Sequence, residues 1–151
     1  MTDAVNSTLD TDFSDKASGL ASDKDPSVFG KVAVVYGGSS NERDVSLDSG
    51  NAVLKALQSQ GVEATHFDPK HQDVTELKNY DRVFNVLHGR GGEDGQLQGL
   101  LDWLQIPQTG SGVLASAIGM DKVRTKQLWL GCGLSTAPFA VLTKDTDWQQ
   151  V

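Results

Sequence analysis

The sequence predicts an α/β protein built on an open, doubly wound parallel sheet, a Rossmann-like arrangement, and three features carry that prediction. Residues 31–36 and 82–87 are short, β-branched, nearly continuous apolar runs, the form of strands buried on both faces. Each run opens directly into a glycine-rich loop, Gly37-Gly38 after the first and His88-Gly89-Arg90-Gly91-Gly92 after the second. Between and after them apolar residues recur at helical spacing, so strand and helix alternate at short intervals, as in parallel βαβ units.

Taken in chain order, the strand at 31–36 leads into a helix over 45–60, where Val53, Leu54 and Leu57 share one face and Gly61 ends the run. Residues 64–68 read as a second strand, closed by Pro69, and 82–87 as a third. Leu97, Leu100, Leu101 and Leu104 fall at i, i+3, i+4 and i+7 and mark an amphipathic helix. Residues 106–109 form a short strand in this reading. Met120, Val123, Gln127 and Leu130 mark another helix, ended by Gly131 and Gly133, and 139–142 a last strand. A sheet of about four or five strands results, and in such sheets ligands bind beyond the carboxyl ends of the strands, where the strand order reverses. The loops at Gly37 and His88 are therefore where a site is expected.

Composition narrows the function classes. The chain has 151 residues, with 20 Asp and Glu against 13 Lys and Arg, for a net charge of −7 at pH 7. That balance, with no basic cluster, argues against a nucleic-acid surface. No apolar run approaches the roughly 18 residues that span a bilayer, and residues 1–15 lack the basic start and apolar stretch of an export signal, so neither a membrane nor export is expected. The single cysteine, Cys132, forms no internal disulfide and fits a reducing, cytoplasmic setting. Lying between two glycines, it reads as a small packed residue.

Charge is unevenly spread. Residues 1–29 carry six aspartates and two lysines, −4 of the −7, and their few apolar residues are too sparse to offset the entropy of ordering them. They read as a disordered acidic extension; a second reading is a short helix over 9–20 that docks on a partner. Residues 30–143 form the expected α/β domain, and 144–151 the start of a linker.

The first loop, residues 37–46, runs from a buried strand into a helix start, where free amides favour an anion. Its spacing fits neither the dinucleotide fingerprint nor the phosphate loop. Ser39, Ser40 or Asn41 caps the helix in the plainest reading. Glu42, at the mouth of the sheet, has two open roles: binding a substrate ammonium, or complementing the helix dipole. In the second loop His88 stands at a strand's carboxyl end, able to donate a hydrogen bond to a carboxylate or phosphate. It is equally able to cap the strand, with Glu93 and Asp94 serving the next helix and Arg90 a solvated arm. His66 and His71 lack companions for a metal site, and no metal ligand is assigned.

Three stretches then carry a family resemblance: residues 37–47, Gly37-Gly38-Ser39-Ser40-Asn41-Glu42-Arg43-Asp44-Val45-Ser46-Leu47; residues 87–95, Leu87-His88-Gly89-Arg90-Gly91-Gly92-Glu93-Asp94-Gly95; and residues 107–113 on to Met120-Asp121-Lys122. In order, spacing and detail, residues 31–151 resemble the amino-terminal domain of the D-alanine-D-alanine ligases, members of the ATP-grasp superfamily that make the peptidoglycan dipeptide. The resemblance implies a cytoplasmic, homodimeric enzyme that phosphorylates the carboxylate of one D-alanine with ATP and lets the amine of a second attack the acyl phosphate. It implies that Glu42 holds the first D-alanine's ammonium, that Val45 lies beside it in the same subsite, that His88 lies near the carboxylate, and that Lys122 reaches the nucleotide phosphates. Mg2+, with Mn2+ as an alternative, and most of the ATP contacts belong in the family to lobes that follow this domain, so residues 1–151 alone are expected to be inactive. A D-alanine-D-lactate ligase shares these residues, although the His88 loop leans to the dipeptide enzyme. A flavodoxin-like module without catalysis is the reading from a different class.

Overall fold

The computed structural model describes residues 25–147, and its centre is a three-stranded parallel sheet of order β2-β1-β3. β1 (Val32–Val35) is buried at every position, as its unbroken apolar run requires, and pairs with β2 (Ala64–Phe67) on one side and β3 (Arg82–Asn85) on the other. Between β1 and β2 runs α1 (Arg43–Ser59), and after β3 come α2 (Gln96–Trp103), α3 (Val113–Met120) and α4 (Lys122–Gly131).

Period-two alternation splits β1 between two cores. Val32 and Val34, with Tyr36, Val62, Ala64 and Val86, meet Leu47, Val53, Leu54 and Leu57 of α1 on one face. Ala33 and Val35, with Phe67, Leu77 and Val83, meet Leu97 and Leu101 of α2 on the other. The expected leucine stripe is therefore the inner face of α2, with Leu100 and Leu104 at its margin. Helices cover both faces, which makes the sheet doubly wound.

Several elements differ from expectation, each for a local reason. The strand at 106–109 shrinks to one parallel bridge between Val83 and Gln108, where Pro107 offers a carbonyl but no N–H. Residues 139–142 form no strand, so among the described residues the sheet has three strands rather than four or five. The preceding segment is drawn onto α4 instead: Lys126 Nζ donates to Thr136 Oγ1 (2.9 Å) and the Ala137 carbonyl (3.1 Å) and lies 5.1 Å from the Phe139 ring centre. The helix read from Met120 onward begins instead at Lys122, and Met120 ends a separate helix, α3, that the periodicity did not mark; Asp121 leaves helical geometry between them and its side chain accepts from Arg124 N, capping α4. Cys132, expected to be packed, is exposed.

The extension expected over residues 1–29 is ordered at its end. Pro26–Phe29 form a 3-10 turn capped by the Asp25 side chain, and Lys31 N donates to Asp81 Oδ2 at 2.8 Å. The reading of residues 1–24 lies outside the described residues. A second 3-10 segment, Val74–Asn79, is capped by Asp73 and delivers Leu77 to the core. No helix among the described residues is long and apolar enough to cross a membrane.

Gly50 lies in the middle of α1, where glycine costs about 1 kcal/mol relative to alanine. A methyl group there would overlap Cβ and Cγ of Tyr36. Overpacking of this kind costs about 1–3 kcal/mol, so against the propensity gain Gly50→Ala is expected to destabilise the fold by up to roughly 2 kcal/mol net. A lower urea midpoint with an unchanged slope is the expected result; a higher midpoint would show that α1 shifts freely over Tyr36.

Candidate functional site

β1 lies between β2 and β3, so the chain leaves β1 toward one neighbour and the other neighbour arrives later. The crevice opens at this reversal, at the carboxyl ends of β1 and β3. Buried polar groups hold the first loop there. The Ser46 hydroxyl, wholly buried, accepts from Gly37 N at 3.0 Å and donates to the Val86 carbonyl at 2.6 Å, tying α1 to the ends of both strands. Asp68, at the end of β2, accepts from Gly38 N (2.9 Å), Lys70 N (3.0 Å) and the Arg43 guanidinium (2.8 Å). Arg43 also donates to the Gly38 carbonyl at 2.8 Å. Gly37 has φ +96°, and a Cβ there would lie 2.7 Å from the Asp68 carboxylate, so glycine is required both by conformation and by space. Burial pushes the Asp68 carboxyl up, but the Arg43 guanidinium and the amides of Lys70 and Gly38 outweigh it and hold the pKa at about 2.

None of Ser39, Ser40 or Asn41 caps α1 with its side chain: the cap position falls on Glu42, whose own side chain makes no capping bond. Ser40 joins the two loops instead, its hydroxyl donating to the His88 carbonyl at 2.7 Å while accepting from Glu42 N at 3.1 Å. The Glu42 carboxylate faces Gly89, where a Cβ would come within 2.8 Å of Oε1. Of its two open roles, the binding one is thus geometrically available.

The second loop is held from within. Glu93 Oε2 accepts from Gly89 N at 2.8 Å, and Asp94 accepts from Gly91 N at 3.0 Å and Gln96 N at 3.2 Å. Glu93 and Asp94 therefore shape the loop, and Asp94 also serves the start of α2. His88 is half-buried, with Nε2 3.4 Å from the Ser49 hydroxyl of α1.

The two loops enclose a cleft of about 690 Å³ lined by Glu42, His88 and Arg90, with Gly37, Gly38 and Gly89 in its walls and Leu97 and Leu100 on its apolar side. A neighbouring cavity of about 430 Å³ shares His88 and contains Lys122. Lys122 Nζ has only a long contact to the Gly119 carbonyl, 3.4 Å, among its described hydrogen bonds. Glu42 and His88 are thus brought to one cleft and Lys122 to the next. Val45 is 58% exposed on the first turn of α1 and lines neither cavity. His66 stacks on Tyr36 with ring centres 3.8 Å apart, and His71 is exposed. Among the described residues no group of three or more His, Cys, Asp or Glu is arranged to hold a metal ion.

Sequence reasoning missed Arg43, Ser46 and Asp68. Apart from Lys70 N beside Asp68, the partners that join them to other elements lie 5 to 40 residues away, and nothing local distinguishes them from surface polar residues.

A carboxylate and an imidazole facing one crevice at the reversal of a doubly wound sheet define a Rossmann-like ligand-binding domain. Residues 64–111 match the family model described as D-ala D-ala ligase N-terminus. The chain is 80% identical over 149 residues to a D-alanine–D-alanine ligase of Psychrobacter sp. (strain PRwf-1), covering 98% of this chain and 45% of that protein. The crystal structure of the Bacillus anthracis D-alanine–D-alanine ligase superposes with a TM-score of 0.68 at 32% identity, covering 80% of this chain and 41% of that one. The same enzyme complexed with ATP superposes with a TM-score of 0.66 at 35% identity, covering 78% and 41%. Along 98% of its length the chain is thus similar to the amino-terminal part of a D-alanine–D-alanine ligase, and it spans less than half the length of each of these relatives.

Because the folded-state pKa of Asp68 lies near 2, below the ordinary 3.8, its stabilisation is fully present above 3.8 and is lost as pH falls through about 2. The shift corresponds to roughly 2 kcal/mol. Urea unfolding across that window is expected to show the parent losing stability more steeply than Asp68→Asn, which has no charge to lose. Parallel curves would mean that the Arg43–Asp68 pair contributes nothing.

Proposed function

We propose that the chain is one wall of the active site of an ATP-dependent D-alanine–D-alanine ligase, the wall that binds the first D-alanine for synthesis of the peptidoglycan dipeptide. The observation that carries this reading is the convergence of Glu42 and His88 on one cleft, with Lys122 beside the adjoining cavity. An amino acid offers an ammonium and a carboxylate a few ångströms apart, and a carboxylate opposite an imidazole complements that pair.

In this mechanism the Glu42 carboxylate accepts from the substrate ammonium, while Val45, expected beside it, lines neither cavity and is given no part in the subsite. The His88 imidazole donates an N–H to the substrate carboxylate and fixes its direction. Lys122 supplies a positive charge to the nucleotide phosphates. ATP phosphorylates the oriented carboxylate; the amine of a second D-alanine attacks the acyl carbon, and phosphate departs as the peptide bond forms. This domain's part is orientation and charge placement, which is most of what phosphoryl transfer asks of a protein. The rest of the ATP site and the Mg2+ or Mn2+ ligands belong to lobes beyond this chain. The working enzyme is a cytoplasmic homodimer joined through this domain.

In the full-length ligase, Glu42→Ala is expected to lower kcat/KM for the first D-alanine by roughly 10- to 100-fold, as loss of a charge-assisted hydrogen bond does. Unchanged steady-state kinetics would remove Glu42 from the site. Residues 1–151 by themselves are expected to release no ADP in response to D-alanine, and a coupled assay that detects such release would overturn the division of labour proposed here.

A further inference from the structure

We infer that Asn85 and Gln98 are positioning residues for His88: two carboxamides, one from the last residue of β3 and one from α2, converge on the Gly92 carbonyl and lock the loop that presents the imidazole. The inference rests on the functional reading above. Asn85 Nδ2 and Gln98 Nε2 both donate to Gly92 O at 2.8 Å, which occupies both lone pairs of that oxygen. Asn85 Oδ1 also accepts from Leu87 N at 3.0 Å, and Asn85 N donates to Thr109 Oγ1 at 3.0 Å. His88 is thus bracketed, with Leu87 pinned on one side and Gly92 on the other by the same side chain.

The bracket has a clear physical purpose. Residues 88–95 contain four glycines, whose backbone entropy opposes a single loop conformation. Gly92 is buried against Leu87 so closely that a Cβ would overlap the Leu87 side chain, and the two carboxamides fix its carbonyl in that position. Gln98 is 4% exposed, and its Oε1 has no hydrogen-bond partner. Burying an unpaired acceptor is costly, and methionine would fill a similar volume without that cost. What a glutamine provides here that methionine cannot is the N–H to Gly92.

The test uses the full-length ligase with Gln98→Met and Asn85→Asp as single variants and His88→Ala beside them. Gln98→Met deletes one donor to Gly92 without shrinking the core, and Asn85→Asp keeps the acceptor for Leu87 N while deleting the other donor. Gln98→Met is expected to melt near the parent temperature and Asn85→Asp, which turns a carboxylate oxygen toward the Gly92 carbonyl, to melt lower but remain folded at the assay temperature; both are expected to raise KM for the first D-alanine about tenfold, as a misplaced contact does, with KM for ATP within about twofold of the parent. If His88→Ala raises that KM and the two carboxamide variants leave it unchanged, the positioning role is overturned while the functional reading stands. If His88→Ala itself leaves it unchanged, the functional reading falls and this inference with it. Failure of both carboxamide variants to fold, or equal losses for D-alanine and ATP, overturns the inference in favour of a purely structural role.

Discussion

The buried carboxylate of Asp68 is the contact on which the site depends. It stands at the end of β2 yet binds groups from the loop after β1 and the start of α1, so one charge joins three elements. A buried carboxylate without partners would be costly; here a guanidinium and two backbone amides keep it ionised. Arg43 closes the circuit by returning to the Gly38 carbonyl, and its neighbour Glu42 is thereby set at the cleft with its own side chain uncommitted to the helix.

The second level of order is the contact between the two glycine loops. Ser46 ties the ends of β1 and β3 from beneath, and Ser40 ties loop to loop above. Glycines allow this approach at two positions where a side chain would intrude: Gly37 against Asp68 and Gly89 against Glu42. The site is therefore assembled from flexible backbone made rigid by short polar side chains, a construction that places charged groups at the carboxyl ends of the strands.

Much of this architecture is legible in the sequence because it follows from local pattern. The unbroken apolar run at residues 32–35 can only be a strand covered on both faces, and the spacing of Leu97, Leu100, Leu101 and Leu104 can only be one face of a helix. Glu42 and His88 were candidates because each sits where a strand ends in glycines. Pattern failed where an outcome depends on a distant partner. Residues 139–142 have strand composition but find no strand to pair with, because Lys126 holds the preceding segment on α4. Met120 fits the spacing of the following helix but belongs to the one before, because a single capping bond at Asp121 divides them.

The sequence by itself determined the fold class and the position of the two glycine loops at the carboxyl ends of the strands. These rest on short-range physics: side-chain periodicity, glycine conformation and the field at a helix start. Only the tertiary structure decided that Glu42 and His88 face one cleft while Val45 stays on an exposed turn and Lys122 borders the next cavity. It alone decided, too, that Asp68, Arg43 and Ser46 hold the site together. A hydrogen bond between groups tens of residues apart exists only once the sheet has set its strand order, and no local pattern encodes that closure.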